Sequence, residues 1–132
     1  MPRYVVDTHA LIWFFAKNPR LGRQARLVLL DPDSELVLPA IALAEALWIV
    51  SSRSLGVKPQ DLLVAIDADQ RISVHPLTRE VVVIAQGLTN VPEMHDRQIV
   101  ATSVHLSQDG LPCPILTRDE KITASGDATV VW

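Results

Sequence analysis

The 132-residue sequence contains a single cysteine, Cys113. One cysteine cannot form an internal disulfide, and it supplies neither a paired-cysteine zinc site nor the disulfide framework of a small secreted domain. We therefore expect a protein of a reducing, cytoplasmic compartment.

Long hydrophobic runs are also lacking. The longest apolar stretches, residues 10–16 and 40–50, are too short to cross a bilayer, and the second contains a glutamate. The N-terminus has no basic region followed by an apolar stretch and a cleavage site, so no signal peptide is expected. These absences predict a soluble protein without membrane contact.

Positive charge is not in excess, because 12 lysines and arginines stand against 15 aspartates and glutamates and give a formal net charge of −3. Nonspecific affinity for nucleic acids comes mostly from basic side chains that neutralise phosphates, so this balance argues against a general basic coat. Any binding of nucleic acid has to depend on local charge or on a metal ion.

Several catalytic motifs are missing as well. The sequence has no Gly-x-Ser-x-Gly segment, no glycine-rich phosphate loop with a lysine, and no cysteine near a histidine. A hydrolase built on this sequence is therefore expected to work without a nucleophilic side chain.

The residues that are present have an ordinary globular balance, with 48% hydrophobic and 20% charged. The length is close to that of one common domain, so we interpret residues 1–132 as a single domain. Apolar periodicity predicts strands at 3–7, 35–38, 72–75, 114–117 and 128–132, the last at a sheet edge. Between them it predicts helices at 8–16, 22–30, 39–52, 59–69, 78–88 and 96–106 and a short helical turn at 118–124.

This alternation predicts the α/β class, with a mostly parallel sheet covered by helices on both faces. In open sheets of this kind, ligands bind beyond the carboxyl ends of the strands, at the point where the strand order reverses. Asp7 and Asp119 both follow predicted strands, so both are expected there.

Glu45 is the least expected residue, because its neighbours from 39 to 50 are otherwise all apolar. Burying an ionised carboxylate without a partner costs several kcal/mol, so something should stabilise Glu45. The alternative explanation is that Glu45 lies on a single exposed stripe of an otherwise apolar helix. A metal site is favoured only if other acids lie near Glu45.

Three further acids are candidates for a metal site with Glu45. Asp7 and Asp96 lie at predicted helix starts, where an aspartate is also an ordinary cap, and Asp119 alone would be read as a turn residue. Clustered carboxylates repel one another and are hard ligands, which suits Mg²⁺ or Mn²⁺ rather than zinc or copper. Such ions activate water and stabilise both oxygens of a phosphodiester displacement.

Four parts of the sequence resemble VapC-type PIN-domain ribonucleases, the toxins of type II toxin–antitoxin pairs. They are residues 5–13 (VVDTHALIW), the embedded Glu45, residues 95–102 (HDRQIVAT) and residues 116–119 (LTRD). The match runs almost from end to end. It implies a three-layer α/β/α PIN-like fold, Mg²⁺- or Mn²⁺-dependent endoribonuclease activity that leaves a 5′-phosphate and a 3′-hydroxyl, a homodimer, and inhibition by a small antitoxin.

The resemblance also implies roles for single residues. Asp7 and Asp96 resemble direct metal ligands, Glu45 a ligand acting directly or through water, and Asp119 one that acts through water or supports a second ion. Thr8 and Thr117 resemble hydroxyl-bearing residues that hydrogen-bond such carboxylates, although both also fit a cap or a strand end.

One position departs from the family pattern. The family often has serine or threonine three residues before the glutamate, where this sequence has Ala42. A supporting hydroxyl is therefore missing, which allows a weakened metal site or an inactive protein.

Basic residues next to the acids are candidates for contact with the RNA backbone, with solvated surface charge as the alternative: Arg97, Arg118 and Lys121. His9 and His95 are interpreted as packing or hydrogen-bonding residues rather than as catalytic ones.

Two other functions remain open. A noncatalytic PIN-like module that binds RNA or protein would use the acids for charge balance and caps, and Ala42 is its main support. A phosphatase or receiver-type domain would also place an aspartate after its first strand, but Asp7-Thr8-His9 lacks the second nearby aspartate that such domains usually need.

Overall fold

Five short strands form one fully parallel sheet in the computed structural model, which describes residues 2–132. Its order is β3-β2-β1-β4-β5, so β1 is central. The last strand, β5, lies at an edge of the sheet, as predicted. The strands are β1 (Arg3–Val6), β2 (Glu35–Pro39), β3 (Ile72–His75), β4 (Ile115–Leu116) and β5 (Val130–Val131).

Helices cover both sides of this sheet, which confirms the predicted three-layer α/β/α class. The helices are α1 (Thr8–Phe15), α2 (Arg23–Leu30), α3 (Ala40–Ser52), α4 (Pro59–Ala68), α5 (Arg79–Gln86), α6 (Met94–Leu106) and α7 (Glu120–Ser125), with a 3₁₀ turn at Ser107–Asp109. None of the helices within residues 2–132 is both long enough and apolar enough to cross a membrane.

The start of α6 differs from the prediction. The helix begins at Met94, with Glu93 as its N-cap, because a carboxylate oxygen of Glu93 accepts a hydrogen bond of 2.9 Å from the backbone N–H of Asp96. Asp96 therefore lies in the first turn of the helix and is not its cap. Its side chain is left available for another role.

The central strand is buried on both faces because helices cover both. Val5 pairs with Val37 of β2 on one side and with Ile115 of β4 on the other, and all three are buried. Helix α2 is held close to the last residue, since a Cβ added at Gly22 would lie 2.6 Å from atoms of Trp132.

The strand order places the switch point between β1 and β4. From β1 the chain adds β2 and β3 on one side, and it then returns to add β4 and β5 on the other. Asp7 directly follows β1 and Thr117 directly follows β4, so these residues meet where a crevice is expected in a parallel sheet.

Candidate active site

A cavity of about 790 Å³ lies at this switch point, and all four acids singled out by the sequence line it. They come from the end of β1, from helix α3, from the first turn of α6 and from the cap of α7: Asp7, Glu45, Asp96 and Asp119. Residues far apart in the sequence are therefore brought to one place.

Asp7 is buried and serves two functions at once. As the N-cap of α1, it accepts a hydrogen bond of 2.7 Å from the backbone N–H of Thr8 at Oδ1, while Oδ2 accepts one of 2.5 Å from the hydroxyl of Thr117. Burial raises the pKa of Asp7, although these two hydrogen bonds and the charge of His9 act in the opposite direction. The capping interpretation is therefore correct and does not exclude a role in the cavity.

Glu45 lies on α3 with one oxygen fully enclosed. Its Oε1 is buried and has no hydrogen-bond partner among residues 2–132. Burial raises the pKa of Glu45, the negative charges of Asp7 and Glu93 raise it further, and His95 opposes them. This enclosed oxygen argues against the alternative that Glu45 lies on a solvent-exposed stripe of the helix.

Asp96 has a strongly raised pKa. Burial raises its pKa to about 7, and the charges of Asp119, Asp7, Glu93 and Glu45 add to the effect. The other three cavity acids all act on Asp96, so the four carboxylates form one electrostatic group.

Asp119 caps α7 and is joined to Asp7 through Thr117. Its Oδ1 accepts a hydrogen bond of 2.8 Å from the backbone N–H of Lys121, and its own N–H donates one of 3.0 Å to the hydroxyl oxygen of Thr117. Since that hydroxyl also donates to Asp7, Thr117 holds the segments after β1 and β4 together.

Two candidate residues do not contact the cavity acids through their side chains. The Thr8 hydroxyl is buried and has no partner within the described residues, so only the backbone of Thr8 contacts a carboxylate. Arg97 does not line the cavity; its Nε donates a hydrogen bond of 2.5 Å to the carbonyl of Val91, which anchors the loop before α6. Arg118 and Lys121 do line the cavity, and both are exposed.

The sequence interpretation missed four charged residues near the site. Arg20, Arg53 and Glu120 also line the cavity, and nothing in the local sequence of the two arginines indicates it. Glu93 caps α6, and its Oε1 lies 2.6 Å from Nδ1 of His95. No standard sequence signal marks Glu93, because glutamate is not among the residues preferred at an N-cap.

The donor set fits a hard divalent cation. Carboxylate oxygens are the preferred ligands of Mg²⁺ and Mn²⁺. A cation in the cavity would give the unpartnered oxygen of Glu45 a partner and would offset the repulsion between Asp96 and its acidic neighbours. As placed, no three His, Cys, Asp or Glu side chains within residues 2–132 stand close enough together to enclose an ion. The acids are thus neighbours around a cavity and not a closed ligand shell.

The fold and the cavity together define an α/β protein with an acidic site at the switch point of a parallel sheet. Comparison with known families matches residues 4–125 to the PIN domain. The chain therefore belongs to the PIN domain family. PIN domains are generally nucleases and generally use divalent metal ions, which supports a hydrolase.

Solved structures share this fold over almost the whole chain. VapBC2 from Rickettsia felis, bound to a DNA fragment from its promoter, matches with a TM-score of 0.72 and 15% identity, covering 98% of this chain and 97% of the other. FitAcB from Neisseria gonorrhoeae matches with a TM-score of 0.70 and 20% identity, covering 98% of this chain and 96% of the other. VapBC-1 from nontypeable Haemophilus influenzae matches with a TM-score of 0.67 and 17% identity, covering 98% of this chain and 96% of the other. No curated protein sequence matches the chain.

Proposed function

We propose that the protein is a VapC-type endoribonuclease that hydrolyses phosphodiester bonds of RNA with divalent metal held by Asp7, Glu45, Asp96 and Asp119. The observation that supports this most directly is the sharing of one cavity by these acids, with the pKa of Asp96 raised to about 7 by burial and by its acidic neighbours. Strongly shifted carboxylates in a crevice are typical of functional sites.

The resemblance to VapC-type PIN-domain ribonucleases implies a role for each acid. Asp7 and Asp96 hold the cation, Glu45 contacts it directly or through water, and Asp119 completes the site or supports a second ion. When bound, Mg²⁺ or Mn²⁺ activates water and stabilises the charge that develops on the phosphate. Thr117 orients Asp7, since a ligand oxygen that accepts a hydrogen bond is held in one direction.

The reaction needs no covalent intermediate. A water oxygen forms a bond to phosphorus, the bond from phosphorus to the 3′ oxygen breaks, and that oxygen leaves with a proton. The products are a 5′-phosphate and a 3′-hydroxyl.

The proposed partner is a cognate antitoxin protein, and the proposed assembly is a homodimer acting on RNA in the cytoplasm. The likeness in fold to VapBC2, VapBC-1 and FitAcB supports this proposal. Growth arrest on expression of the wild type, relieved by the product of a small neighbouring gene and absent with Asp96→Asn, is the expected cellular result. Light scattering of the purified protein tests the dimer.

The decisive experiment is cleavage of a mixed RNA panel by purified protein with Mg²⁺ or Mn²⁺, and with EDTA instead. Asp96→Asn tests the site, and Asp67→Asn, which changes an exposed acid of α4 outside the cavity, is the matched control. We expect cutting by the wild type and by Asp67→Asn, and none by Asp96→Asn or with EDTA.

Equal cutting by all three proteins would indicate a contaminating ribonuclease. No cutting by folded wild type would favour the noncatalytic binding module instead.

A further inference from the structure

A second cavity, of about 500 Å³, lies at the opposite end of the sheet from the four acids. Its walls are formed by the end of α6 and by the loops that lead into β4 and β5, residues 110–114 and 126–129. The acids lie beyond the carboxyl ends of the strands and at the start of α6. Because α6 rises about 1.5 Å per residue, its length separates the two cavities by roughly 15 Å. We call the second one the rear cavity.

Most of the side chains that line the rear cavity are apolar: Val104, Leu111, Pro112, Cys113, Pro114 and Ala128. Leu111 is exposed to solvent even though it is large and apolar, so it offers a surface that a ligand can cover. Pockets for small molecules typically have volumes of about 300–1,000 Å³ and combine apolar walls with a few polar groups. The rear cavity has the size and the composition of such a pocket.

Among the described residues that line the rear cavity, only Asp127 has a charged side chain. Its Oδ2 is enclosed and has no hydrogen-bond partner, and no ion pair among residues 2–132 includes Asp127. A carboxylate oxygen that is shielded from water and receives no donor costs free energy. The rear cavity therefore favours a ligand that carries positive charge and donates hydrogen bonds.

Stabilisation of the turn before β5 is one alternative explanation for Asp127. Aspartates stabilise turns by accepting a hydrogen bond from the backbone N–H two residues further on, as Oδ1 of Asp31 and Oδ1 of Asp109 do at 2.9 Å. The turn before β5 is made differently, because Gly126 takes a left-handed backbone with a φ of 71° and the backbone N–H of Asp127 donates to the hydroxyl of Ser125 at 3.3 Å. Its enclosed carboxylate oxygen takes no part in the turn.

Neutralisation by an arginine of the chain is the second alternative. The charge of Arg3 acts on Cys113 in the wall of the rear cavity, where it opposes the increase in the thiol pKa that burial causes. The guanidinium of Arg3, however, is paired with Asp109 at 2.8 Å and also donates to the carbonyl of Leu106. Arg3 does not line the rear cavity. This cation is therefore engaged by other groups.

We propose that the rear cavity binds a small organic cation, an alkylguanidinium or alkylammonium group, with its charge on Asp127 and its apolar stem against Pro112 and Pro114. The N–H groups of the cation supply the donors that Oδ2 lacks, and the soft terminal torsion of an aspartate allows this oxygen to turn toward them. A guanidinium is more weakly hydrated than an ammonium, so apolar walls favour it. None of the four acids takes part, so this inference is independent of the proposed function.

The test is a titration of the isotope-labelled protein with butylguanidinium, followed by NMR of the backbone amides. The chain has five glycines, of which Gly110 and Gly126 line the rear cavity and Gly22, Gly56 and Gly87 do not. The amide signals of the first two should shift with a common Kd on the order of 1 mM, an affinity suited to a ligand of so few atoms. The other three signals should not move.

Two matched changes test the role of charge. Asp127→Asn keeps the shape of the side chain and removes its charge, so binding should weaken at least tenfold, whereas Asp67→Asn, an exposed acid of α4 outside the rear cavity, should bind like the wild type. Butylurea has nearly the shape of the probe without its charge, and it should also bind at least tenfold more weakly. Asp127→Asn should leave metal-dependent RNA cleavage unchanged.

A third variant tests the location without changing any charge. Ala128 lines the rear cavity, and Ala128→Leu would fill part of it, so binding of butylguanidinium should be lost. If Ala128→Leu fails to fold, the comparison of Asp127→Asn with Asp67→Asn still tests the proposal.

A second probe distinguishes the two sources of such a cation. The blocked tripeptide N-acetyl-Gly-Arg-Gly-amide carries the same guanidinium on a peptide backbone. Affinity equal to that of butylguanidinium would assign the rear cavity to an arginine side chain of a partner protein, and affinity at least tenfold lower would assign it to a free amine or guanidine. The proposal is overturned if butylguanidinium well above 1 mM leaves the signals of Gly110 and Gly126 in place, or if Asp127→Asn binds it as tightly as Asp67→Asn does.

Discussion

The hydroxyl of Thr117 donates a hydrogen bond of 2.5 Å to Oδ2 of Asp7, a residue 110 positions away in the sequence. The same hydroxyl accepts the backbone N–H of Asp119 at 3.0 Å. Because Asp7 follows β1 and Thr117 follows the adjacent β4, one buried side chain connects two of the cavity acids across the switch point.

Replacement of this hydroxyl should affect stability and metal binding together. Thr117→Val keeps the shape and removes the hydrogen bond to buried Asp7, so the free energy of unfolding should fall by about 1–2 kcal/mol. Affinity for Mn²⁺ should fall roughly tenfold, because Asp7 loses the group that orients it. Urea denaturation and calorimetric titration measure the two effects.

Thr102→Val is the matched control for that variant. Thr102 is also buried, but its hydroxyl donates to the carbonyl of Gln98 within α6 and does not line the cavity. It should affect stability and leave metal affinity unchanged. If both variants bind Mn²⁺ like the wild type, Thr117 is only a structural link.

The stability of the metal-free protein should fall as the pH rises toward neutrality. The pKa of Asp96 is about 7 in the folded chain and close to its ordinary value of 3.8 when unfolded, so between these values the folded state binds more protons. The stability that Asp96 contributes is complete below its unfolded pKa and is lost as the pH passes through about 7. Melting temperatures in EDTA across this range measure the effect.

Asp96→Asn should remove most of that pH dependence. Since Asp96 is only partly buried, solvent screens its neighbours, and we expect a gain of about 1 kcal/mol for the variant at pH 8 in EDTA. In the wild type, Mn²⁺ affinity should rise with pH over the same window, because the cation competes with the proton. A pH-independent affinity would contradict this account.

Glu45→Gln tests whether the enclosed carboxylate oxygen of Glu45 binds a cation. Without metal the variant should be as stable as the wild type or more so, because an unpartnered buried carboxylate is neutralised. The rise in melting temperature that Mg²⁺ produces by binding the folded state should be reduced or lost. Asp67→Asn, an exposed acid outside the cavity, should keep the full rise.

Ala42 offers a gain-of-function test. It is buried on α3, one helical turn before Glu45. Ala42→Ser would supply a hydroxyl on that helical face, and we expect Mn²⁺ affinity to increase roughly threefold or more, since groups that support metal ligands have effects of this size or larger. Ala46→Ser, at another buried position of α3, is the control and should only reduce stability.

Gly22 should not tolerate a side chain, because Trp132 packs directly against it. Gly22→Ala places a methyl group 2.6 Å from Trp132, so we expect a loss of about 1–3 kcal/mol. Trp132→Ala removes the two indole atoms that the new methyl group would meet and leaves only the backbone carbon, so the added cost of Gly22→Ala should be smaller in that background, although not lost. Equal costs in both backgrounds would show that the indole takes no part in the clash.

Much of the site could be predicted from the local sequence. Glu45 stands out because its neighbours are apolar, and Asp7 and Asp119 stand out because each follows a buried strand. Arg97 illustrates the limit of that reasoning, because it is next to Asp96 in sequence yet bonds to Val91 and does not line the cavity. Adjacency in a helix does not place two side chains on the same face.

The sequence by itself determined the α/β alternation, most of the element positions and the four acids, because burial periodicity and helix caps are local properties of the chain. Only the tertiary structure decided that Thr117 joins Asp7 to Asp119 and that Arg20 and Arg53 line the same cavity as Arg118. The reason is the strand order. Placing β4 beside β1 brings together residues that no local pattern relates, and with them the charges that raise the pKa of Asp96.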